Sequence, residues 1–311
     1  MERDIHDAVV IGGGAAGLSA ATVLARARRR VTVVDAGRPR NAPAGHLHGF
    51  LSRDGMTPGQ LLDAGRAELA AYGGGFTPGR AVAIERAEDG GFVVRCDDGR
   101  ALTTRGVMVA AGLRDELPAI AGLRERWGID VLHCPYCHGY EVRDAPIAVL
   151  GGDNRPFTLH QAALVRQWSA DVVLFPNRIL LTDDERKRLT VRGIRIVEGE
   201  VAGLQVRGDR MYAVELADGR IEPRAAVFVG PRFIPRDELL TALGCDTGDD
   251  GWVITDASGQ TSVAGVWAAG NVVDSPAQLI SAAAAGSKAA IALNHFLLEL
   301  DIQSAVSTVA T

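Results

Sequence analysis

The sequence predicts an α/β fold of two related three-layer domains, the second inserted in the first. Residues 8–35 read as a short apolar strand, a glycine turn, a helix-patterned segment and a second strand. The same order recurs at 146–175, so the chain contains two Rossmann-like units. The segment GVWAAGNVV and the Ala-rich stretch 277–298 have no counterpart in the middle of the chain. We therefore expect them to return to the first domain.

Chain length and hairpin patterns set the expected domain boundaries. A chain of 311 residues with 47% apolar composition can bury two cores, because single cores stop growing near ~250–300 residues. Apolar and polar residues alternate around short turns at 80–112 and again at 195–229, which predicts short hairpins after each unit. The predicted segments are 1–114 and 232–311 for the first domain and 115–231 for the inserted domain.

Composition argues against several classes of partner. The net charge of −5 is spread over mixed acidic and basic residues, which predicts neither nucleic-acid binding nor binding to an anionic membrane. The N-terminus passes from MERDIHD directly into an apolar run ending in glycines, without the layout of a signal peptide. The sequence contains no uninterrupted run of 18 apolar residues, so no membrane span is predicted. We expect a cytoplasmic protein.

The first glycine turn has the pattern of a dinucleotide site. Gly12, Gly14 and Gly17 follow a strand and open a helix, and the next strand ends at Asp35. The first glycine permits a tight turn, the second lets the backbone approach a pyrophosphate, and the third lets helix and strand pack closely. Asp35 is placed to accept hydrogen bonds from a ribose hydroxyl. A glycine turn without a nucleotide is the alternative.

Cys134 and Cys137, in HCPYCHGYE, have the spacing of a dithiol that thiol exchange can open and close. A zinc site is an alternative, but structural zinc usually takes two separated ligand pairs, and Cys96 and Cys245 stand alone. Two inert buried cysteines and a glutaredoxin-like motif are further alternatives. A flavin beside the dithiol explains more of the chain, and no metal is predicted.

These motifs resemble the low-molecular-weight thioredoxin reductase family over nearly the whole chain. The matching pieces are GGGAAG at 12–17, VAAG at 109–112, the Cys-x-x-Cys, GVWAAGNV at 265–272 and AQLISAAAAG at 277–286. The resemblance implies an FAD domain, an inserted pyridine-nucleotide domain and a homodimer. It also implies that Cys137 faces the flavin and that Cys134 exchanges with the substrate.

The same resemblance extends the predicted FAD site beyond the glycine turn. Asn271 would hold the ribityl chain where the family usually has Asp, and Gln278 would lie beside the isoalloxazine at the start of the last helix. His46 and His48 are flavin neighbours or purely structural residues. The complete set of predicted cofactor residues is Gly12, Gly14, Ala15, Ala16, Gly17, Asp35, Asn41, His46, His48, Val82, Ala111, Gly112, Gly270, Asn271, Gln278 and Leu279.

The second glycine turn departs from the family. It reads GGDNRP, so Asp153 stands where backbone should approach a phosphate, and Pro156 replaces a small residue at the helix start. An acidic side chain there repels a pyrophosphate. Downstream, FPNR keeps only Arg178 of the usual basic cluster. We predict weakened or lost NADPH binding; because Gly151 and Gly152 persist, NADPH binding in a modified form stays open.

The residue after the dithiol departs as well, because His138 stands where the reductases have Asp. Histidine, with a usual pKa near ~6.5, can accept a proton from an incoming thiol. The string CPYCHGYE resembles the dithiol oxidases that close disulfides in gliotoxin-, holomycin- and romidepsin-type natural products. This resemblance implies an FAD-dependent oxidase of antibiotic biosynthesis, which acts on a small dithiol and passes electrons to O2, giving H2O2.

Two other functions stay open at this point. An NAD(P)H-dependent thioredoxin or disulfide reductase would use the same thiols in the opposite direction, and a redox-sensing flavoprotein would bind FAD without turnover. The sequence also leaves open which of His46, His48 and His138 acts as the base.

Overall fold

The computed structural model describes residues 5–88 and 90–309. The described residues divide into two compact units, one within 5–42, 50–114 and 235–309, the other comprising 43–49 and 115–234. The segment 43–49 therefore groups with the second unit, which the linear segmentation of the sequence did not anticipate. The chain passes between the units in the paired strands β7 (Leu113–Glu116) and β16 (Arg232–Pro235).

The first unit is built on a seven-stranded sheet ordered β3-β2-β1-β6-β5-β4, with β17 pairing with β6. Strands β1, β2, β3, β6 and β17 run parallel, whereas β4, β5 and β6 form the antiparallel hairpins expected at 80–112. Numbered along the whole chain, its elements are β1 (His6–Ile11), α1 (Ala15–Arg26), β2 (Val31–Asp35), α2 (Pro58–Ala71), β3 (Gly75–Pro78), β4 (Ala81–Arg86), β5 (Phe92–Cys96), β6 (Ala101–Val109), α6 (Glu238–Ala242), β17 (Val266–Ala268), a 3-10 turn (Gly270–Val272) and α7 (Leu279–Val309).

Side chains alternating along β1 enter two different cores, as expected for a strand buried on both faces. Ala8 and Val10 pack with residues of α1, α2 and α7, whereas Val9 and Ile11 pack with residues of the hairpins and α6. The last helix reaches Val309, 11 residues beyond the predicted 298. Among the described residues, no helix combines the length and apolarity needed to cross a bilayer.

The second unit has a fully parallel five-stranded sheet, ordered β11-β10-β9-β15-β8, and a separate antiparallel sheet of β12, β13 and β14. Of the hairpins predicted at 195–229, only the middle part, β12 to β14, forms an antiparallel sheet. The flanking strands β11 and β15 join the parallel sheet instead, and the AVFV run of β15 is completely buried. Its elements are β8 (Val131–Leu132), α3 (Pro135–His138), β9 (Ile147–Leu150), α4 (Arg155–Val165), β10 (Val172–Phe175), α5 (Asp183–Val191), β11 (Arg195–Ile196), β12 (Val201–Arg207), β13 (Arg210–Leu216), β14 (Ile221–Pro223) and β15 (Ala226–Val229).

The parallel sheet of the second unit lies between two further layers. Ala148 and Leu150 of β9 pack against residues of the antiparallel sheet. Ile147 and Val149 pack against α4 and α5. Both units are three-layer α/β domains of the Rossmann-like class, as the sequence predicted.

Candidate functional site

The three glycines at the end of β1 have three different surroundings. Gly12 has φ +103°, and a Cβ there would lie 2.3 Å from the Ala110 carbonyl oxygen. A Cβ on Gly17 would lie 1.8 Å from the Gly12 carbonyl oxygen, so α1 packs directly on the turn. At Gly14, by contrast, an added Cβ would meet nothing within 4 Å. Gly12 and Gly17 therefore hold the turn together, and Gly14 leaves open space beside it.

The start of α1 adjoins this open space. Gly14 is the N-cap residue and contributes no side-chain cap, and the first helical hydrogen bond runs from Leu18 N to Gly14 O at 2.9 Å. The N–H groups of residues 15–17 therefore have no partner inside the helix. Uncapped N–H groups at a helix start bind phosphate, so this turn suits the pyrophosphate of a dinucleotide.

Asp35 is fixed beside the turn by backbone donors. Gly13 N donates to its Oδ1 at 2.9 Å, and Gly37 N donates to its Oδ2 at 3.2 Å. Each carboxylate oxygen has a second lone pair that can accept from a ribose hydroxyl. The carboxylate therefore braces the turn as well as offering the predicted ribose contact.

The returning segment lies at the same edge of the sheet. Strand β17 runs parallel to β6, with Ala268 opposite Val109, so the residues after both strands emerge together. Ala111 and Gly112 follow β6, and Gly270 follows β17. A Cβ on Gly270 would lie 3.0 Å from the Cβ of Ala16. The structure therefore brings these parts of the predicted FAD site together.

Asn271 has a role that the sequence did not reveal. Its Nδ2 donates to the carbonyl oxygens of Asp274, Ser275 and Ala277 at 2.9–3.1 Å. The two amide hydrogens are shared among these three carbonyls, and the family's Asp could not replace them because a carboxylate has no hydrogen to donate. Asn271 thus holds the loop that leads into α7, where Gln278 O accepts the first helical bond from Ala282 N at 2.8 Å. Gln278 and Leu279 stand at the start of α7, as predicted.

Two residues of the predicted cofactor set in the first unit lie in less constrained positions. Val82 sits where the β4–β5 ladder is irregular, and its side chain is 44% exposed. Asn41 is partly buried in the loop after β2. Their contacts with FAD stay predictions. The turn, the open space at Gly14, the uncapped helix start and Asp35 together fit the adenine dinucleotide part of FAD.

The second glycine turn provides less for a phosphate. Asn154 caps α4 with its own side chain, because its Oδ1 accepts from Phe157 N at 3.1 Å. Pro156, in the first turn of α4, has no N–H to offer. One donor that would face an anion is therefore occupied, and another is missing. Gly151 keeps a packing role, because a Cβ there would lie 2.1 Å from the Pro176 carbonyl oxygen.

The arginines near this turn are already paired. Arg155 donates to Glu185 at 2.5 Å, and Arg178, the remaining candidate for a 2′-phosphate, donates to Glu200 at 2.5 Å. Both residues of the second pair are mostly exposed, so the pair costs little to open. The case against phosphate binding at this turn therefore rests on the negative charge of Asp153 and on the occupied and missing N–H donors at the start of α4. The pairing of Arg178 contributes less.

The dithiol lies directly after β8, where α3 begins. Cys134 and Cys137 form a disulfide with a Cα–Cα distance of 5.2 Å. The Cys134 carbonyl accepts hydrogen bonds from Cys137 N and His138 N, each at 3.1 Å, so one helical turn holds both cysteines and His138. Among residues 5–88 and 90–309, no group of three or more His, Cys, Asp or Glu side chains could hold a metal ion.

His138, Glu141 and His48 form a cluster of titratable groups in the unit that carries the dithiol. Burial lowers the pKa of the His138 imidazole, nearby Glu141 raises it, and His48 lowers it. His48 Nε2 lies 3.3 Å from Glu141 Oε1. His46, in the same segment, is exposed. Of the three histidines that the sequence left open as the base, His138 is the one within the dithiol turn.

Because its pKa is lowered, His138 is neutral at pH 7 and can accept a proton. We expect the rate of thiol oxidation to be constant around neutral pH and to fall only as pH drops through a pKa below the usual 6.5. Glu141→Gln removes the group that raises this pKa, so the acid limb should move to still lower pH. The measurement is the pH profile of flavin reduction by dithiothreitol, with exposed Glu125→Gln as the control. An acid limb that E141Q leaves in place would contradict the assignment.

A dinucleotide turn in one Rossmann-like unit and a dithiol in the other define a disulfide oxidoreductase. The model of the family described as pyridine nucleotide-disulphide oxidoreductase matches residues 6–286, and the chain belongs to this family. It is a flavin-dependent disulfide oxidoreductase that resembles the thioredoxin reductases.

Individual relatives show the same likeness over the whole chain. Thioredoxin reductase sirT of Leptosphaeria maculans is 29% identical and covers 96% of both chains. The crystal structure of HlmI is 57% identical, with a TM-score of 0.94, covering 98% of this chain and 96% of that one. The thioredoxin reductase TrxB structure from Bacillus anthracis is 32% identical, with a TM-score of 0.91, covering 95% and 99%.

Proposed function

We propose that this protein is an FAD-dependent dithiol oxidase that forms an intramolecular disulfide in a small dithiol substrate. The observation that carries the proposal is the self-capped start of α4, where Asn154 and Pro156 leave few donors for a nicotinamide dinucleotide phosphate. The first unit keeps the corresponding donors free at α1. Electrons therefore enter from the substrate dithiol rather than from NADPH.

The protein residues carry out the thiol exchange in two steps. Neutral His138 accepts the proton of the first substrate thiol, and the thiolate attacks Sγ of Cys134. The Cys134–Cys137 bond breaks, and Cys137 leaves as a thiolate. The second substrate thiol gives its proton to the Cys137 thiolate and attacks the substrate sulfur of the mixed disulfide, so the bond from that sulfur to Cys134 breaks and Cys134 leaves as a thiolate. The cyclic disulfide product leaves, and the two electrons removed from the substrate stay on the reduced Cys134 and Cys137.

FAD, when bound, supplies the route by which this electron pair reaches O2 and, with two protons, gives H2O2. The overall reaction is then dithiol plus O2 to disulfide plus H2O2. Gly12–Gly17, Asp35 and the start of α7 are the residues that we propose hold the cofactor. His138 accepts the proton at the dithiol, and the paired His48 and Glu141 shift the pKa of His138.

The surface around the dithiol suits a small, partly apolar substrate. Tyr136, between the two cysteines, is 64% exposed, and Tyr140 is 65% exposed. The guanidinium of Arg143 stacks over the Tyr140 ring at 4.0 Å. Exposed aromatic rings offer apolar area at low entropic cost, so they favour ring-shaped organic substrates.

Anaerobic reduction of the yellow holoprotein tests the direction of electron flow. Dithiothreitol should bleach the flavin. NADPH at the same concentration should leave the flavin oxidised over a time in which the aerobic enzyme completes many turnovers with the dithiol. Admission of air should restore the colour and yield one H2O2 per dithiol, measured with and without catalase. Flavin reduction by NADPH at a rate that supports turnover would contradict the oxidase.

The second candidate is an NAD(P)H-dependent disulfide reductase. It is favoured by Gly151 and Gly152 at the second turn and by Arg178, whose exposed ion pair could open for a phosphate. The name thioredoxin reductase, given to several of its relatives, points the same way. NADPH oxidation coupled to reduction of a protein disulfide would establish this candidate.

A further inference from the structure

The side of α4 that bears Phe157 and Gln161 adjoins the residue before the dithiol. These two residues are four apart, so they lie on one face of the helix. The Phe157 ring stacks on the His133 imidazole, with 5.2 Å between ring centroids and 25° between planes. Gln161 Nε2 donates to the His133 carbonyl oxygen at 2.6 Å. One helix face thus holds both the ring and the carbonyl of His133.

Trp168, in the turn after α4, continues this support onto the dithiol helix. A Cβ on Gly139 would lie 2.8 Å from the Trp168 ring, so the indole touches the backbone at the end of α3. The Trp168 and Tyr136 rings meet edge to face at 5.8 Å. The dithiol turn is therefore supported from α4 at its start and from Trp168 at its end.

Gln161 is an unusual residue for such a position. Its side chain is 1% exposed, and its Oε1 is buried with no hydrogen-bond partner among the described residues. Burying an unpaired acceptor opposes folding, and an apolar side chain of similar length would avoid this cost. The contact that Gln161 gains in return is the one to the His133 carbonyl, whose peptide group continues directly into Cys134.

We propose that Gln161 is a positioning residue for the reactive disulfide. By fixing the carbonyl of the His133–Cys134 peptide, it fixes the direction in which Cys134 presents its Sγ to an attacking thiolate. Thiol–disulfide exchange requires a defined approach to one sulfur, so small errors in its position cost rate. The proposal rests on Cys134 and Cys137 being the active dithiol, and it holds for either direction of electron flow.

With Gln161 in this role, α4 supports the dithiol instead of binding a nucleotide. In a nucleotide-binding unit, the start of such a helix faces phosphate. Here that start is capped by Asn154, and the side of the helix supports the dithiol instead. The inserted unit thus contributes to thiol chemistry through α4.

The variant that tests the proposal is Gln161→Met, which keeps an unbranched side chain of similar length and removes the donor. The matched control is Thr158→Val on the same helix. Thr158 is also 1% exposed, and its Oγ1 donates within the helix to Asn154 O at 3.1 Å. Both variants lose one buried hydrogen bond, but only Q161M loses contact with the residue before the dithiol.

The measurement is the second-order rate constant for anaerobic flavin reduction by dithiothreitol in the holoprotein. Loss of one positioning hydrogen bond should lower it about tenfold in Q161M, with T158V within about twofold of wild type. The pH profile should keep its acid limb, because His138 is intact. FAD content and thermal midpoint serve as measures of folding.

A wild-type rate constant in Q161M, or an equal loss in T158V, would overturn the proposal. Gln161→Leu, which is uncharged and also lacks a donor, provides the same test if Q161M loses its flavin. These results do not depend on whether O2 or NADPH is the redox partner of the enzyme, because both are absent from the assay. Failure of the oxidase proposal would show instead in the NADPH and air experiments.

Discussion

The Cys134→Ser and Cys137→Ser variants are expected to lose turnover by a factor on the order of 10³ or more while keeping bound FAD. Neither hydroxyl can take part in disulfide exchange, whereas the residues that fit the dinucleotide lie in the other unit of the chain. Turnover is measured as dithiol-dependent H2O2 formation, and FAD content by the visible absorbance of the purified proteins.

The two variants should differ in what they trap. C137S keeps Cys134 as a free thiol without its internal partner, so with a disulfide of a monothiol, such as bis(2-hydroxyethyl) disulfide, it should form a mixed disulfide and release one 2-mercaptoethanol, and no second thiol is present to resolve the adduct. Mass spectrometry of the intact protein should detect this adduct in C137S and not in C134S. The reverse pattern would exchange the proposed roles of the two cysteines.

The remaining cysteines provide a control within the same chain. Cys96 and Cys245 are buried in the core of the first unit, and burial raises the pKa of each thiol. A thiol with a raised pKa is poorly nucleophilic at neutral pH. Cys96→Ser and Cys245→Ser should therefore keep turnover close to wild type, apart from any loss of stability. A large specific loss of activity in either would contradict the assignment of the active dithiol.

Gly14→Ala and Gly17→Ala should separate cofactor binding from folding. Gly14 has an extended backbone that alanine can adopt, and its Cβ would project into open space. G14A should therefore fold normally but obstruct the pyrophosphate. A steric cost of about 1–3 kcal/mol corresponds to roughly 5- to 150-fold weaker FAD binding.

At Gly17 the added Cβ would lie 1.8 Å from a backbone oxygen, so the helix or the turn must move. We expect G17A to lose about 2–4 kcal/mol of folding free energy, in addition to weaker FAD binding. Chemical unfolding of the FAD-free proteins and titration with FAD measure the two effects separately. Equal stability losses in both variants would refute the division of roles between these glycines.

The sequence predicted the fold well because its strongest patterns are local. The strand–turn–helix–strand order around Gly12 and again around Gly151 follows from apolar periodicity and glycine spacing, and the structure contains both units. The hairpin prediction at 195–229 was only partly right. Strands β11 and β15 join the parallel sheet, since their partners β10 and β9 come from earlier in the chain and local alternation cannot identify them.

The sequence can propose site residues where a motif places them, but not where tertiary contacts place them. The glycine turn and the Cys-x-x-Cys could be found from spacing alone. Gln161 carries no motif, and its bond to the His133 carbonyl spans 28 residues of sequence. Asn271 stood out only as a departure from the family, and its three bonds to the loop before α7 became visible in the structure.

The grouping of 43–49 with the second unit limits how this protein can be recombined with its relatives. A fragment of 115–234 alone would lack His48, which pairs with Glu141. It would also lack Pro43, which lies 2.7 Å from the position of a Cβ on Gly128. An exchange of the dithiol-bearing unit between relatives must therefore carry two separate stretches of gene. A chimera made at the 114/115 and 234/235 boundaries alone would combine a dithiol from one parent with His48 from the other.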